Sequence, residues 1–215
     1  APLAASTDAI RGINCTATTA SSNLGLYYNT IYLNATSSGA NFGTSGIYHT
    51  NSTTSTTAQL DMRDNIVVNN STPVGTGLTV AFRRSAANAS LNNYSTLSNN
   101  NDFYAGTPGP SNLIFNDGTN SDQTLADFKT RVTPRESASF SENPTFINST
   151  TTPYDLRINT TTPTQIESGG ITVATPIAIT SDYDGDLRNA TTPDVGADEF
   201  AGVGLDLTPP VISYN

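Results

Sequence analysis

The feature that most constrains this chain is a strand that returns. Thr30-Ile31-Tyr32-Leu33-Asn34 recurs as Asn65-Ile66-Val67-Val68-Asn69 and, more loosely, as Asn101-Asp102-Phe103-Tyr104. Each copy is a short run of β-branched or aromatic residues bounded by Asn, the signature of a strand with turns at its ends. A second series is offset from the first: Gly12-Ile13, Gly46-Ile47-Tyr48, Gly77-Leu78-Thr79-Val80 and Asn112-Leu113-Ile114-Phe115. Two strand series sharing one period of about 31–36 residues imply a chain that coils and stacks on itself. The lack of regular helical pattern excludes helical repeats, and propeller blades, at about 40–45 residues with paired hairpins, are longer than this period. The expected fold is all-β: a right-handed parallel β-helix. Ile31 should then lie on Ile66 and Leu33 on Val68 in interior files. Thr30, Asn65 and Asn101 should mark a shared corner, where recurring Asn side chains form a ladder.

One short flanking helix is expected. Thr124 and Asp127 suit a capping pair, Leu125, Phe128 and Val132 share one face, and Pro134 ends the run. The whole divides into a β-helix over residues 1–200 and a linker with an extended strand over 201–215. Within the first part, regular rungs span 10–115, irregular rungs and the helix 116–181, and a C-terminal cap 182–200. Phe146-Ile147, Asp155-Leu156-Arg157-Ile158 and Ile171-Thr172-Val173 are strand candidates in the looser part.

Composition decides between order and disorder. Charged residues make up only 13% of the chain, and Thr, Ser, Asn and Gly take the place of the missing charge. Disordered chains tend to be rich in charge and poor in β-branched and aromatic residues, whereas here these cluster at regular intervals. The net charge is −9, and the first hundred residues are nearly balanced, with Arg11, Arg63, Arg83 and Arg84 against Asp8, Asp61 and Asp64. Without a basic patch, nucleic acid is not an expected partner. No apolar run reaches membrane-spanning length. Cys15 is the single cysteine, so no intrachain disulfide forms. Ala1–Ser6 lacks the charged and apolar regions of a signal peptide, which reads as a mature or excised fragment.

The run from Tyr27-Tyr28-Asn29-Thr30-Ile31-Tyr32-Leu33-Asn34 to Ser98-Asn99-Asn100-Asn101-Asp102-Phe103-Tyr104 resembles β-helix segments of large bacterial secreted and surface proteins, many of them type IX secretion cargo. The end of the chain is similar to their closing motif: Asp182-Tyr183-Asp184-Gly185-Asp186-Leu187-Arg188, then Pro193-Asp194-Val195-Gly196-Ala197-Asp198-Glu199-Phe200. Asp206-Leu207-Thr208-Pro209-Pro210-Val211-Ile212 resembles the linker into an immunoglobulin-like module. The resemblance implies a fold and an extracellular or cell-surface location, but no common activity.

Candidate sites are few. Asp182, Asp184 and Asp186 match the first three oxygen positions of a calcium loop, yet Leu187 stands where that loop needs Gly and Pro193 where it needs Glu. The alternative is a structural cap in which Arg188 pairs with Asp194, Asp198 or Glu199. No other cofactor is expected. His49, the sole histidine, belongs to no recognisable nucleophile–base motif. Asp61, Arg63 and Asp64 form the only mixed cluster in the rungs, and Asp61 and Arg63 share a strand face. Such clusters serve polysaccharide-active β-helix enzymes, but scarce charge argues against one here. Tyr27, Tyr32, Tyr48 and Tyr104 form a candidate aromatic strip for surface glycans. Val211, Ile212, Ser213 and Tyr214 form a candidate assembly strand, joining copies into a filament or leading into a neighbouring domain. The expected role is a structural, adhesive or self-assembling surface module rather than an enzyme.

Overall fold

The structure, a computed structural model, describes residues 4–208 and Pro210. It is a parallel β-solenoid of about three turns. The first turn consists of β1 (Ile10–Cys15), β2 (Asn23–Tyr27) and β3 (Thr30–Leu33), and the second of β4 (Thr44–His49), β5 (Gln59–Arg63) and β6 (Ile66–Asn69). In the third, β7 (Thr79–Arg84) and β8 (Asp102–Tyr104) flank a stretch held to β5 by bridges at Tyr94 and Asn99. β9 (Asn112–Asn116) opens a further turn. Like strands pair in parallel, in the orders β1-β4-β7-β9, β2-β5 and β3-β6-β8.

The register corrects two expectations. Ile31 pairs with Val67 and Leu33 with Asn69, while Ile66 stands beside Thr30. The step is therefore one residue longer than the local likeness of the two runs suggests, and one residue of slip sends every side chain to the opposite face. Ile31 and Val67 point into the lumen, whereas Ile66 and Val68 face outward. Close approach on the opposite wall agrees: a Cβ at Gly12 would lie 2.6 Å from Ile31 Cγ2, and one at Gly46 2.4 Å from Val67 Cγ1. In the second series Ile13, Ile47, Phe82 and Phe115 are in register. The third member thus starts at Thr79, not at Gly77.

The corner is a ladder, and its members are Asn29, Asn65 and Asn101 rather than Thr30, Asn65 and Asn101. Asn29 Nδ2 donates to Asn65 Oδ1 and Asn65 Nδ2 to Asn101 Oδ1, both at 2.8 Å across a 36-residue step. Asn101 Nδ2 then donates to the buried Glu136 carboxylate, at 2.9 Å to Oε2. Glu136 also accepts from the Tyr94 hydroxyl and from Ser139 Oγ, so the ladder ends on a saturated acceptor. Immediately before each ladder Asn stands a residue with positive φ: Tyr28 (53°), Asp64 (59°) and Asn100 (55°). These left-handed positions turn the chain sharply between the second and third strand of each coil.

The helix α1 (Leu125–Val132) forms where the capping pair placed it, with Thr124 Oγ1 accepting from the Asp127 amide. Its apolar face enters the lumen. The Phe128 ring lies 5.1 Å from Phe115 and 5.6 Å from Phe103, and both Phe128 and Val132 are fully buried. Those rings extend a column that runs through Phe82 to Tyr94. After β9, β10 (Ser121–Asp122) pairs antiparallel with it, and Phe140 bridges β8. This end of the coil is closed.

Beyond Phe140 the chain stops coiling, so the irregular rungs expected before residue 181 are absent. β11 (Phe146–Asn148) and β12 (Asp155–Ile158) form an antiparallel hairpin of their own, and Ile171–Val173 is not a strand. The hairpin and the segment up to Phe200 cover the outer face of β3-β6-β8. Phe146, Ile158, Ile166 and Val195 pack there on Ile66 and Val68. Outward apolar residues on this one sheet are the reason: a strand with both faces apolar needs a layer on each.

Candidate functional site

The corner row holds the outer layer in place. Tyr28 Oη donates to the Ile171 carbonyl at 2.7 Å, Asp64 Oδ1 accepts from the Ile171 amide at 2.8 Å, and Asn100 Nδ2 donates to the Gly169 carbonyl at 3.0 Å. One position in three successive turns thus grips one strap of chain. Further along, the Gly196 amide donates to the Asp64 carbonyl and the Ala197 amide to Thr30 Oγ1. The segment from Asp182 to Phe200 therefore lies along the flank of the first two turns, not over the last one.

Arg188 organises that segment. Its guanidinium lies 3.9 Å from the Tyr28 ring centre, 3.4 Å from Glu199 Oε2, and 3.0 Å from the Gly196 carbonyl. Asp194 accepts from the amides of Ser168 and Phe200, while Glu199 accepts from those of Asn189 and Asp194. Asp182 Oδ1 takes the amides of Asp184, Gly185 and Asp186, and Oδ2 takes that of Glu199. The carboxylate that would begin a calcium loop thus orders its own turn. Among the described residues, no three His, Cys, Asp or Glu side chains converge to hold a metal.

The other candidates are engaged within the fold. Asp61 and Arg63 pair at 2.8 Å, with Tyr27 Oη donating to Asp61 and Arg63 reaching the Thr175 carbonyl at 2.7 Å. His49 is fully buried, with Nε2 3.0 Å from the Ala58 carbonyl. Tyr32 meets Phe146 edge-on, Tyr48 lies beneath Arg11 and Tyr104 packs in the outer layer. The expected outward strip is thus not a free surface. Val211, Ile212, Ser213 and Tyr214 lie outside the described residues.

What the outer layer does create is a groove of about 800 Å³ between the hairpin and the Asp182–Asp198 loop. Tyr154 and Tyr183 line it while remaining 63% and 85% exposed. Its polar lining is Asn148, Asp155, Arg157, Asp184 and Asp198. Arg157 grips Asp155, with Nη2–Oδ2 at 2.5 Å, and stands 3.7 Å from Asp184. The hydrogen bond from Arg157 holds the Asp155 carboxyl down at about 2, whereas burial, then the charges of Asp182 and Asp184, push Asp198 up to about 6. Sequence reading missed this site because its residues come from two segments brought together only by the outer layer. Exposed Tyr next to Pro153 and within an Asp-rich turn was the only signal. No family model, no curated protein and no solved structure matches the chain.

Seating the layer on buried acids has a consequence for pH. Burial pushes both Asp64 and Asp194 from 3.8 up to about 7, and raises Asp102 as well. Folding favours their protonated forms. Their contribution to stability is therefore complete below pH ~4 and is lost as the pH climbs to about 7. His49 acts oppositely: burial lowers it from 6.5 to about 4, so its contribution is present above pH ~6.5 and is lost towards 4. The acids are more numerous, so melting at pH 5 is expected several degrees above that at pH 8, and Asp64→Asn should narrow the gap. Equal melting temperatures at the two pH values would contradict this.

Proposed function

We propose that this chain is an extracellular adhesive module, in which the solenoid is a rigid mount for a glycan-binding groove. The observation that carries the reading is the pair Tyr154 and Tyr183, left exposed along a concave groove while Tyr27, Tyr32, Tyr48, Tyr94 and Tyr104 are engaged in the fold. Aromatic faces receive the C–H face of a sugar ring, and the adjoining carboxylates, Asn148 and Arg157 are suited to its hydroxyls. A volume of about 800 Å³ is within the range of small-molecule sites, roughly 300–1,000 Å³. The abundance of small neutral polar residues and the resemblance to secreted β-helices support the location. Glycan-array binding should be lost in Tyr154→Ala and Tyr183→Ala with melting unchanged, since both rings are exposed. No binding to any glycan by the intact chain would defeat the proposal.

A second reading comes from Asp198, which lines the groove with Asp184 and which burial, then the charges of Asp182 and Asp184, raise to about 6. A proton donor next to a second carboxylate is the equipment of glycoside hydrolysis. Release of reducing ends from a bound glycan, abolished by Asp198→Asn, would favour that reading over adhesion alone.

A further inference from the structure

The two ends of the coil differ. At one end α1, β10 and Glu136 close the lumen, the strand edge and the ladder. At the other, β1, β2 and β3 have no partner on their outer side among the described residues. Their lumen residues show the difference: Ile13, Leu24 and Leu26 are only partly buried, while Ile47, Leu60 and Met62, stacked directly on them, are fully buried. Because each ladder amide donates away from this end, Asn29 Oδ1 is left as the terminal acceptor.

A cleft of about 650 Å³ runs beside the open end. Ile13, Ile31 and Leu33 line it from the coil, and Ile179, Tyr183 and Arg188 from the outer layer. An unpaired parallel edge set in an apolar cleft is an acceptor for an extended strand, with main-chain bonds giving affinity and alternate side chains giving register.

The chain itself carries a segment of matching length after residue 208. Leu205 bonds Thr164 and shares a hollow with Leu207, Lys129 and Ser139, so the polypeptide reaches residue 208 near the closed end. We propose that the open edge of β3 receives Val211–Tyr214 of a second copy as an added parallel strand. β3 is four residues long, as is this segment. The register that sets Ile212 beside Ile31 also sets Tyr214 beside Leu33, so two apolar side chains cover the exposed lumen while Val211 and Ser213 face out. Insertion into its own β3 would require the segment to double back along the coil, ~14 Å at ~4.8 Å per turn. Donation to the next copy does not. Donor and acceptor at opposite ends make a heterologous contact that propagates as a filament.

The cleft shares Tyr183 with the glycan groove, so the assembly is tested through residues 209–215. Sedimentation of the full chain over rising concentration should show growing assemblies. Deletion of residues 209–215, or Ile212→Asp, should leave a monomer with unchanged melting, since Leu207 and Thr208, which precede them, are already exposed. The deleted chain keeps its acceptor edge, so adding it to the full chain should shorten the assemblies. A full chain that stays monomeric at its highest soluble concentration overturns the proposal. Assemblies that persist equally without residues 209–215 overturn it too.

Discussion

Val67→Asp is expected to unfold the coil, whereas its neighbour Ile66→Asp should chiefly release the outer layer. Both side chains are almost fully buried, so burial alone predicts the same outcome. Their surroundings differ. Val67 faces the lumen among Ile31, Ile47, Met62 and Phe103, the core that every turn shares. An unpaired carboxylate there has no route to water, and its desolvation costs at least several kcal/mol, comparable with the whole stability of an ordinary domain. Ile66 faces Phe146, Ile158, Ile166 and Val195, a layer seated on this apolar patch and tied at its edge by the corner row and Arg188. Displacing that layer gives the new carboxylate access to solvent and leaves the lumen intact. Limited proteolysis distinguishes the two. Ile66→Asp should yield a protected fragment ending near residue 140, and Val67→Asp no protected fragment. If Ile66→Asp leaves the outer layer as resistant as before, the assignment of faces is mistaken.

Asn65→Asp should destabilise the fold more than Asn65→Ala, despite its closer match in shape. Asn65 stands at the centre of the ladder, fully buried. Its Oδ1 accepts from the Asn29 amide and side chain, and its Nδ2 donates to the Leu26 carbonyl at 2.8 Å and to Asn101 Oδ1. Truncation to Ala removes the acceptor of the Asn29 amide, at ~1–3 kcal/mol if water cannot reach it, while Asn101 Oδ1 keeps the Asn65 backbone amide and Asn29 Nδ2 the Tyr27 carbonyl. Replacement by Asp goes further, because it sets a buried carboxylate against the Leu26 carbonyl and Asn101 Oδ1, both acceptors. Denaturant midpoints for the two variants provide the comparison, and an Asp variant as stable as the Ala variant would show that the ladder polarity is reversed or absent. The same polarity explains the ending on Glu136, the one acceptor in the row that no longer needs to donate.

The glycan groove and the strand-accepting edge draw on different properties of one scaffold. Inside the coil, stacked files leave little room for variation, since each side chain has a counterpart above and below. The groove is built on the layer outside it, where Tyr154, Tyr183 and Arg157 are bound to no such file. A solenoid of this kind keeps stability and recognition in separate residues, so groove variants should be tolerated where lumen variants are not.

From residues alone, the period, the coil of parallel strands, the Asn ladder and the capped helix at Thr124 could all be derived. These are local or periodic properties: a short apolar run between Asn residues, or a Thr with Asp three positions on, is a signal contained in a few neighbouring side chains. The 36-residue register, the face taken by Ile31 against Ile66, and the course of residues 141–200 were decided only by tertiary structure. Ile66-Val67-Val68 is apolar at every position, so its alternation does not say which side is inward. That depends on Gly12 and Gly46, which leave the space across the lumen that Ile31 and Val67 fill. The outer layer is likewise invisible to a search for repeats, because it binds the coil through single contacts at Tyr28, Asp64 and Asn100 rather than through a repeated strand. The groove follows from that layer, and its residues become neighbours only after the layer has docked.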